Sequence, residues 1–202
     1  MKFVLASANP GKVGEMRSIL NGCGFEVVTR YDLGIDVDIA ETGATFLENA
    51  VIKAKVICEI SGLPSIADDS GLVVDVLGGE PGVDTSSYGG DTLTDEERCE
   101  YLLKKMENVE PRGAKFVCII ACALPGGELI TAEGECRGEI SMSLRVDSGF
   151  GFDPIFLIPN SGKTLAELAP DEKNAISHRG KALRAFTEKM EKIQNSNSVV
   201  FS

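Results

Sequence analysis

Hydrophobic and polar positions along this chain switch between two periods, and the switching predicts a mixed α/β order. Phe3-Val4-Leu5-Ala6 is a short apolar run that reads as a buried strand. A helical spacing then places Val13, Met16 and Leu20 on one face. Phe25–Val28 reads as a second strand, followed by a polar, acidic connection through Glu41. Thr45-Phe46-Leu47-Glu48 has the form of a capping box and opens a helix to about Ser61, with Leu47, Val51, Ala54 and Cys58 as its buried face. Asn49 and Lys53 are four residues apart and neighbour each other on a different face of that helix. Pro64–Ala67 could enter a strand and Leu72–Val76 reads clearly as one, with Asp68-Asp69-Ser70-Gly71 between them. A glycine-rich segment, Leu77–Gly90, leads to a second capping box at Thr94–Glu97, whose helix carries Cys99, Leu102, Leu103 and Met106. Lys115–Leu124 and Glu128–Arg137 read as a hairpin about Pro125-Gly126-Gly127, and Gly138–Val146 as a further strand. Ser177 caps a final helix packed through Leu183, Phe186, Met190 and Ile193; the tail from 195 to 202 is expected to fray.

The totals narrow the function classes. At 202 residues the chain supports one sizeable core, whole or divided into two lobes. A formal charge of −11 argues against a broad nucleic-acid footprint, which needs a basic face. An anionic substrate must then be small and gripped by a few local cations with help from a metal. The six cysteines form no CxxC pair and there is one histidine, which argues against zinc and for reduced thiols in a cytoplasmic protein. Phe3–Ala6 is too short for a signal peptide, and the nine-residue run Phe116–Leu124 is too short to span a membrane.

Four segments carry candidate chemistry, each with a plain structural alternative. Ser7-Ala8-Asn9-Pro10-Gly11-Lys12 joins a strand to a helix N-terminus, where free backbone N–H groups and a lysine suit a phosphate. A well-capped helix with a solvated lysine explains Asn9 and Pro10 equally well. In Asp68-Asp69-Ser70-Gly71 the two carboxylates, if extended, point to opposite faces and should do different jobs. Taken alone this stretch reads better as a hydrogen-bonding turn. Phe150-Gly151-Phe152-Asp153-Pro154 combines rings, a glycine and a carboxylate suited to a purine's face and edge, or to a tight loop tucking rings into the core. His178 and Arg179 place cations in a first helical turn, against the dipole, which suggests an anion there, or else a misplaced surface pair at a cost of only about 0.3–1 kcal/mol.

Together these segments resemble the Ham1/RdgB-like inosine triphosphate pyrophosphatase family, from Ser7 to the final helix. The motifs are Ser7-x-Asn9-x-x-Lys12, Glu41-Thr42-Gly43-x-Thr45-Phe46-x-Glu48-Asn49-Ala50, Ala67-Asp68-Asp69-Ser70-Gly71-Leu72, Phe150-Gly151-Phe152-Asp153-Pro154 and Ile176-Ser177-His178-Arg179-Gly180, in the family's order. The resemblance implies a two-lobed α/β mixed-sheet fold with a central nucleotide-binding cleft, usually a homodimer. It implies Mg2+-dependent hydrolysis of ITP, dITP and XTP to the monophosphate and pyrophosphate. By it, Ser7–Lys12 would bind the triphosphate, Lys53 would help neutralise it, and Glu41 and Asp69 would coordinate magnesium. Asp69 would also be the general base, with Asp68 beside it in the catalytic group and Ser70 touching substrate. Phe150–Asp153, Lys173, His178 and Arg179 would line the base and phosphate pocket. One departure is Ser87, in Thr85-Ser86-Ser87-Tyr88, where bacterial relatives typically carry arginine.

The residues are consistent with that chemistry. Magnesium and lysines can stabilise charge on the attacked phosphorus and the departing pyrophosphate, and a carboxylate near a metal can deprotonate water. A Maf-like pyrophosphatase of other base preference is the nearest rival, and a catalytically silent nucleotide-binding module is the rival of another class. Glu41, Lys53, Asp68 and Asp69 together count against the silent module, which needs no water activator.

Overall fold

The computed structural model of the chain describes residues 2–146 and 149–199. Two compact units are built from discontinuous segments. The first takes the chain up to Asp69, then Cys118–Gly134 and the stretch from His178 onward; the second takes Ser70–Val117 and Glu135–Ser177.

In the first unit β1 (Lys2–Leu5) lies between two parallel neighbours, β2 (Glu26–Thr29) and β3 (Ser65–Val74). Val4 stands opposite Val28 on one side and Ser65 on the other. The hydrogen-bonded order continues through β4 (Gly113–Ala123) and β5 (Leu129–Ile140) to β6 (Phe156–Leu157). Strand side chains alternate between faces, so each strand feeds two cores. Phe3, Leu5 and Ile66 pack with Cys118, Ile120 and Cys122 against Met16 and Leu20 of α1 (Pro10–Gly22) and Leu183, Phe186 and Met190 of α5 (His178–Val199). Val4, Ala6 and Ala67 pack with Ala121 and Ala123 against Ala50, Ala54 and Ile57 of α2 (Phe46–Ser61). Gly134 of β5 brings the start of α5 into place: a Cβ there would come within 2.3 Å of the His178 carbonyl oxygen. Only a residue without a side chain permits that approach.

The second unit has its own core. Leu72, Val74, Ala114, Phe116, Cys136, Ile140 and Phe156 pack with Cys99 and Leu102 of α3 (Asp95–Lys105) and with Met106, which caps that helix. A short helix, α4 (Pro170–Ile176), follows Leu165. Among the described residues no helix is long and apolar enough to cross a membrane. All six cysteines are free thiols, five of them buried.

Both capping boxes form as the sequence predicts, and Asn9 caps α1 with Pro10 in the first turn. Several expectations are corrected. Asp68–Gly71 is no turn: β3 runs unbroken through it, because both carboxylates find cationic partners and need no solvent. The buried face of α2 is centred on Ala50, Ala54 and Ile57, and Leu47 is 46% exposed. Small alanines allow close helix–sheet packing, which draws the neighbouring Asn49 and Lys53 inside rather than onto a free face. The expected strand Gly138–Val146 is instead the end of β5, which closes at Ile140, where Arg112 donates to the carbonyls of Ile140 and Ser141. The segment between Pro170 and Ile176, expected only as a lead-in, is helical. α5 extends to Val199; residues 200–202 of the tail expected to fray lie outside the described residues.

Candidate active site

The first unit is organised around β3. Ile66 belongs to the core beneath α1 and α5 and Ala67 to the core beneath α2, so the next two residues divide the same way. Asp68 meets α1 and α5, and Asp69 meets α2. Arg179 donates to Asp68 Oδ2 through Nη2 at 3.1 Å and Nε at 3.2 Å, and Lys12 Nζ lies 3.2 Å from the same oxygen. The Asp68 side chain is wholly buried. Burial alone would raise its pKa, but Lys12 first, then Arg179 and Lys53, hold it well below the ordinary carboxylate range. Arg179 also donates to Glu15 Oε2 at 2.5 Å through Nη1. Arg179 thus meets two carboxylates of the protein, Asp68 and Glu15.

Glu15 escaped the sequence reading. It stands three residues after Lys12 on α1, a spacing that puts both on one helix face, and that was the available signal. The turn before α1 is ordered by its own side chains: Asn9 N–H donates to Ser7 Oγ at 3.3 Å, and Lys12 N–H to Asn9 Oδ1 at 3.1 Å. Ser7 is buried, Ala8, Asn9 and Pro10 are exposed, and Gly11 and Lys12 are half-buried.

On the α2 side, Lys53 Nζ donates to Glu41 Oε2 at 2.6 Å and to Asp69 Oδ1 at 2.9 Å. Burial would lower the ammonium pKa, yet Asp69, Asp68 and Glu41 together raise it above the usual lysine value. For Asp69 burial prevails: its pKa is raised against the opposing pull of Lys53 and Lys12, with Glu41 adding to the rise. Asp69 is therefore a better proton acceptor than an exposed aspartate, and Asp68 a worse one. The Glu41 loop is tied to α2 at Gly43, whose N–H donates to Asn49 Oδ1 at 2.8 Å.

The remaining expected residues, Ser70, Phe150–Asp153 and Lys173, belong to the second unit. Lys173 Nζ donates to Asp153 Oδ2 at 2.6 Å and stands 4.3 Å from the centroid of the Phe150 ring. Phe152 is buried in that unit's core, edge-on to Tyr88. Ser87 donates to the Asp84 carbonyl within its own turn, at 3.4 Å. His178 is buried at the start of α5, in the first unit.

Comparison with known proteins gives consistent results. The Ham1 family matches residues 3–189. The dITP/XTP pyrophosphatase of Geobacillus kaustophilus is 46% identical over 194 residues, 95% of each chain. The protein of that name from Escherichia coli is 44% identical over 191 residues, 93% of this chain and 96% of its own. Among solved structures, a HAM1 protein from Coxiella burnetii superposes with a TM-score of 0.86 at 40% identity, covering 95% of this chain and 99% of that one. The Staphylococcus aureus Ham1 protein gives 0.85 at 38% identity, with the same coverage.

Proposed function

The chain belongs to the Ham1 family, and from that premise we infer that it hydrolyses noncanonical purine nucleoside triphosphates, dITP, ITP and XTP, to the monophosphate and pyrophosphate. The observation that carries the reading is the convergence of Glu41 and Asp69 on one cationic point, now the Lys53 ammonium. Hard carboxylate oxygens in that arrangement suit magnesium, which commonly takes one or two protein carboxylates and completes its shell with water and phosphate oxygens. Bound there, Mg2+ would supply charge stabilisation to the phosphate oxygens.

The chain's own residues then take distinct parts in our proposal. Asp69, its pKa raised by burial, accepts the proton of the attacking water. Lys53 neutralises phosphate charge, and the Ser7–Lys12 turn presents N–H groups and the Lys12 ammonium to the triphosphate. Asp68, clamped by Arg179 and Lys12, fixes the lysine that meets phosphate, and Arg179 acts as its brace through Glu15 and Asp68. For Phe150–Asp153 and Lys173 we propose recognition of the purine base. We extend the proposal to a cytoplasmic homodimer, as the family resemblance implies.

If water attacks the α-phosphorus, hydrolysis of ITP with magnesium in ¹⁸O-water is expected to label the monophosphate and leave pyrophosphate unlabelled. Label in pyrophosphate, or release of orthophosphate from a pyrophosphatase-free preparation, rejects this route.

Selectivity gives a second test. Hypoxanthine and xanthine carry a 6-oxo acceptor and an N1–H, the reverse of adenine, so ATP is refused by mismatched buried groups. GTP shares that edge and must be refused at position 2, where a donor would accept xanthine's oxygen and leave guanine's amine unpaired. Lys173 is the side-chain donor to test, because its ammonium lies with Phe150 and Asp153, the residues proposed above to read the base. Lys173→Glu is expected to narrow the XTP-to-GTP preference by roughly tenfold, the scale of one hydrogen bond to a charged group. A proportional loss of both substrates assigns Lys173 to phosphate and the discriminating donor to the main chain.

A further inference from the structure

The sharpest unexplained geometry lies in the second unit, where one helix holds a single residue, Gly151, by both its N–H and its carbonyl. Asp95 and Cys99 are four residues apart at the start of α3, hence on one face. The Gly151 N–H donates to Asp95 Oδ2 at 2.7 Å, and the Cys99 thiol donates to the Gly151 carbonyl oxygen at 3.3 Å. Gly151 itself has φ of +60°, a conformation that residues with side chains rarely adopt. On either side of it, Phe150 faces the Lys173 ammonium, Phe152 is sunk in the core and Asp153 is bonded to Lys173.

We propose that Asp95 and Cys99 are positioning residues for substrate selectivity: they clamp the Gly151 backbone by its N–H and its carbonyl, and so hold Phe150, Asp153 and Lys173 in the arrangement that reads the base. The inference rests on the base-recognition role proposed above for that cluster. Neither residue touches the substrate in this account. Their function is to fix a left-handed glycine hinge between a half-buried ring, Phe150, and a buried one, Phe152.

The two bonds are of different character and complement each other. A carboxylate accepting a backbone N–H is a charge-assisted bond, short and strong. The thiol can serve the carbonyl only while protonated. Burial foremost, with Asp95 and Asp153 adding, pushes the Cys99 pKa up to about 12, so it remains a donor throughout the neutral range. Asp95 also favours the helix dipole from the first turn, but Glu96 and Glu97 do so as well, and Glu97 alone closes the capping box with Thr94. The dipole alone therefore does not account for where the Asp95 side chain points.

The experiment compares Asp95→Ala, Asp95→Asn, Cys99→Ala and Glu96→Ala. Asp95→Asn keeps an oxygen that accepts the Gly151 N–H. Glu96→Ala removes the same first-turn charge without touching Gly151. Amide hydrogen exchange over 149–153 and the kinetic constants for XTP and GTP are read in each. In Asp95→Ala, exchange of the Gly151 amide is expected to accelerate by roughly tenfold or more. KM for XTP is expected to rise about tenfold with kcat within about twofold, and the XTP-to-GTP preference to shrink. Cys99→Ala should show a smaller change in the same direction, and Asp95→Asn and Glu96→Ala should stay near wild type. Unchanged exchange in Asp95→Ala, equal damage from Glu96→Ala, or lost kcat with unaltered selectivity overturns the proposal. A wild-type protein that turns over no purine triphosphate would instead refute the functional reading. In that event the exchange comparison still decides whether the clamp exists.

Discussion

Asp69→Asn is expected to abolish most hydrolysis while ITP still binds. The substitution keeps the shape of the side chain and an oxygen for Lys53 Nζ, but removes the proton acceptor and one of the two carboxylates that converge at Lys53. Loss of a positioned general base costs ~10²–10⁴-fold in rate, and loss of a metal-holding carboxylate adds to that. Single-turnover hydrolysis and calorimetric binding of ITP separate the two quantities. Turnover near wild type in Asp69→Asn would move the base elsewhere. Asp68 is a poor understudy: it faces the other side of β3, and two cations hold its pKa far below the range in which a carboxylate takes protons at neutral pH.

Asp68→Asn should instead show its main effect in stability. Breaking a buried ion pair by neutralising one partner leaves an uncompensated charge and costs about 3–5 kcal/mol. Here Arg179 retains Glu15, but Lys12 and Arg179 both lose the negative charge they share. For a chain of this size such a loss lowers Tm by roughly 10 °C. The pH dependence has a definite sign. A carboxylate whose folded pKa is depressed contributes stability that is complete above its unfolded value, about 4, and that is lost as pH falls toward the depressed one. The wild type should therefore lose stability below about pH 4, and Asp68→Asn should show a flatter acid limb. Melting curves between neutral and strongly acidic pH check both. An Asn variant melting within a degree or two of wild type, with the same acid limb, would show that the pair contributes little net stability.

The sequence made much of the local structure legible because local rules wrote it. The capping boxes at Thr45 and Thr94, and Asn9 with Pro10, are decided within four residues, and each formed where the pattern put it. What failed depended on distant partners. Asp68–Gly71 resembles a turn until Arg179, more than a hundred residues away, is seen to neutralise Asp68 within a strand. The spacing of Asn49 and Lys53 puts them side by side on α2, but that Lys53 meets both Glu41 and Asp69 is set by tertiary packing. Glu15 and the Asp95–Gly151–Cys99 contacts are geometric facts of tertiary packing, with no motif of their own. The five family motifs located most of the residues that gather in the first unit, but could not say which were bonded to protein and which stood open.

The unbroken course of β3 has a consequence for how this chain can vary in length. Its two adjacent aspartates do separate work only because strand side chains alternate, so their roles are assigned by parity. Inserting or deleting one residue between Ile66 and Asp68 would exchange the faces of the two carboxylates. The proton acceptor would be handed to Arg179 and Lys12, and the buried strut to Lys53. A change of two residues would preserve the assignment. Single-residue length variation should thus be absent from this strand and confined to the connections around it.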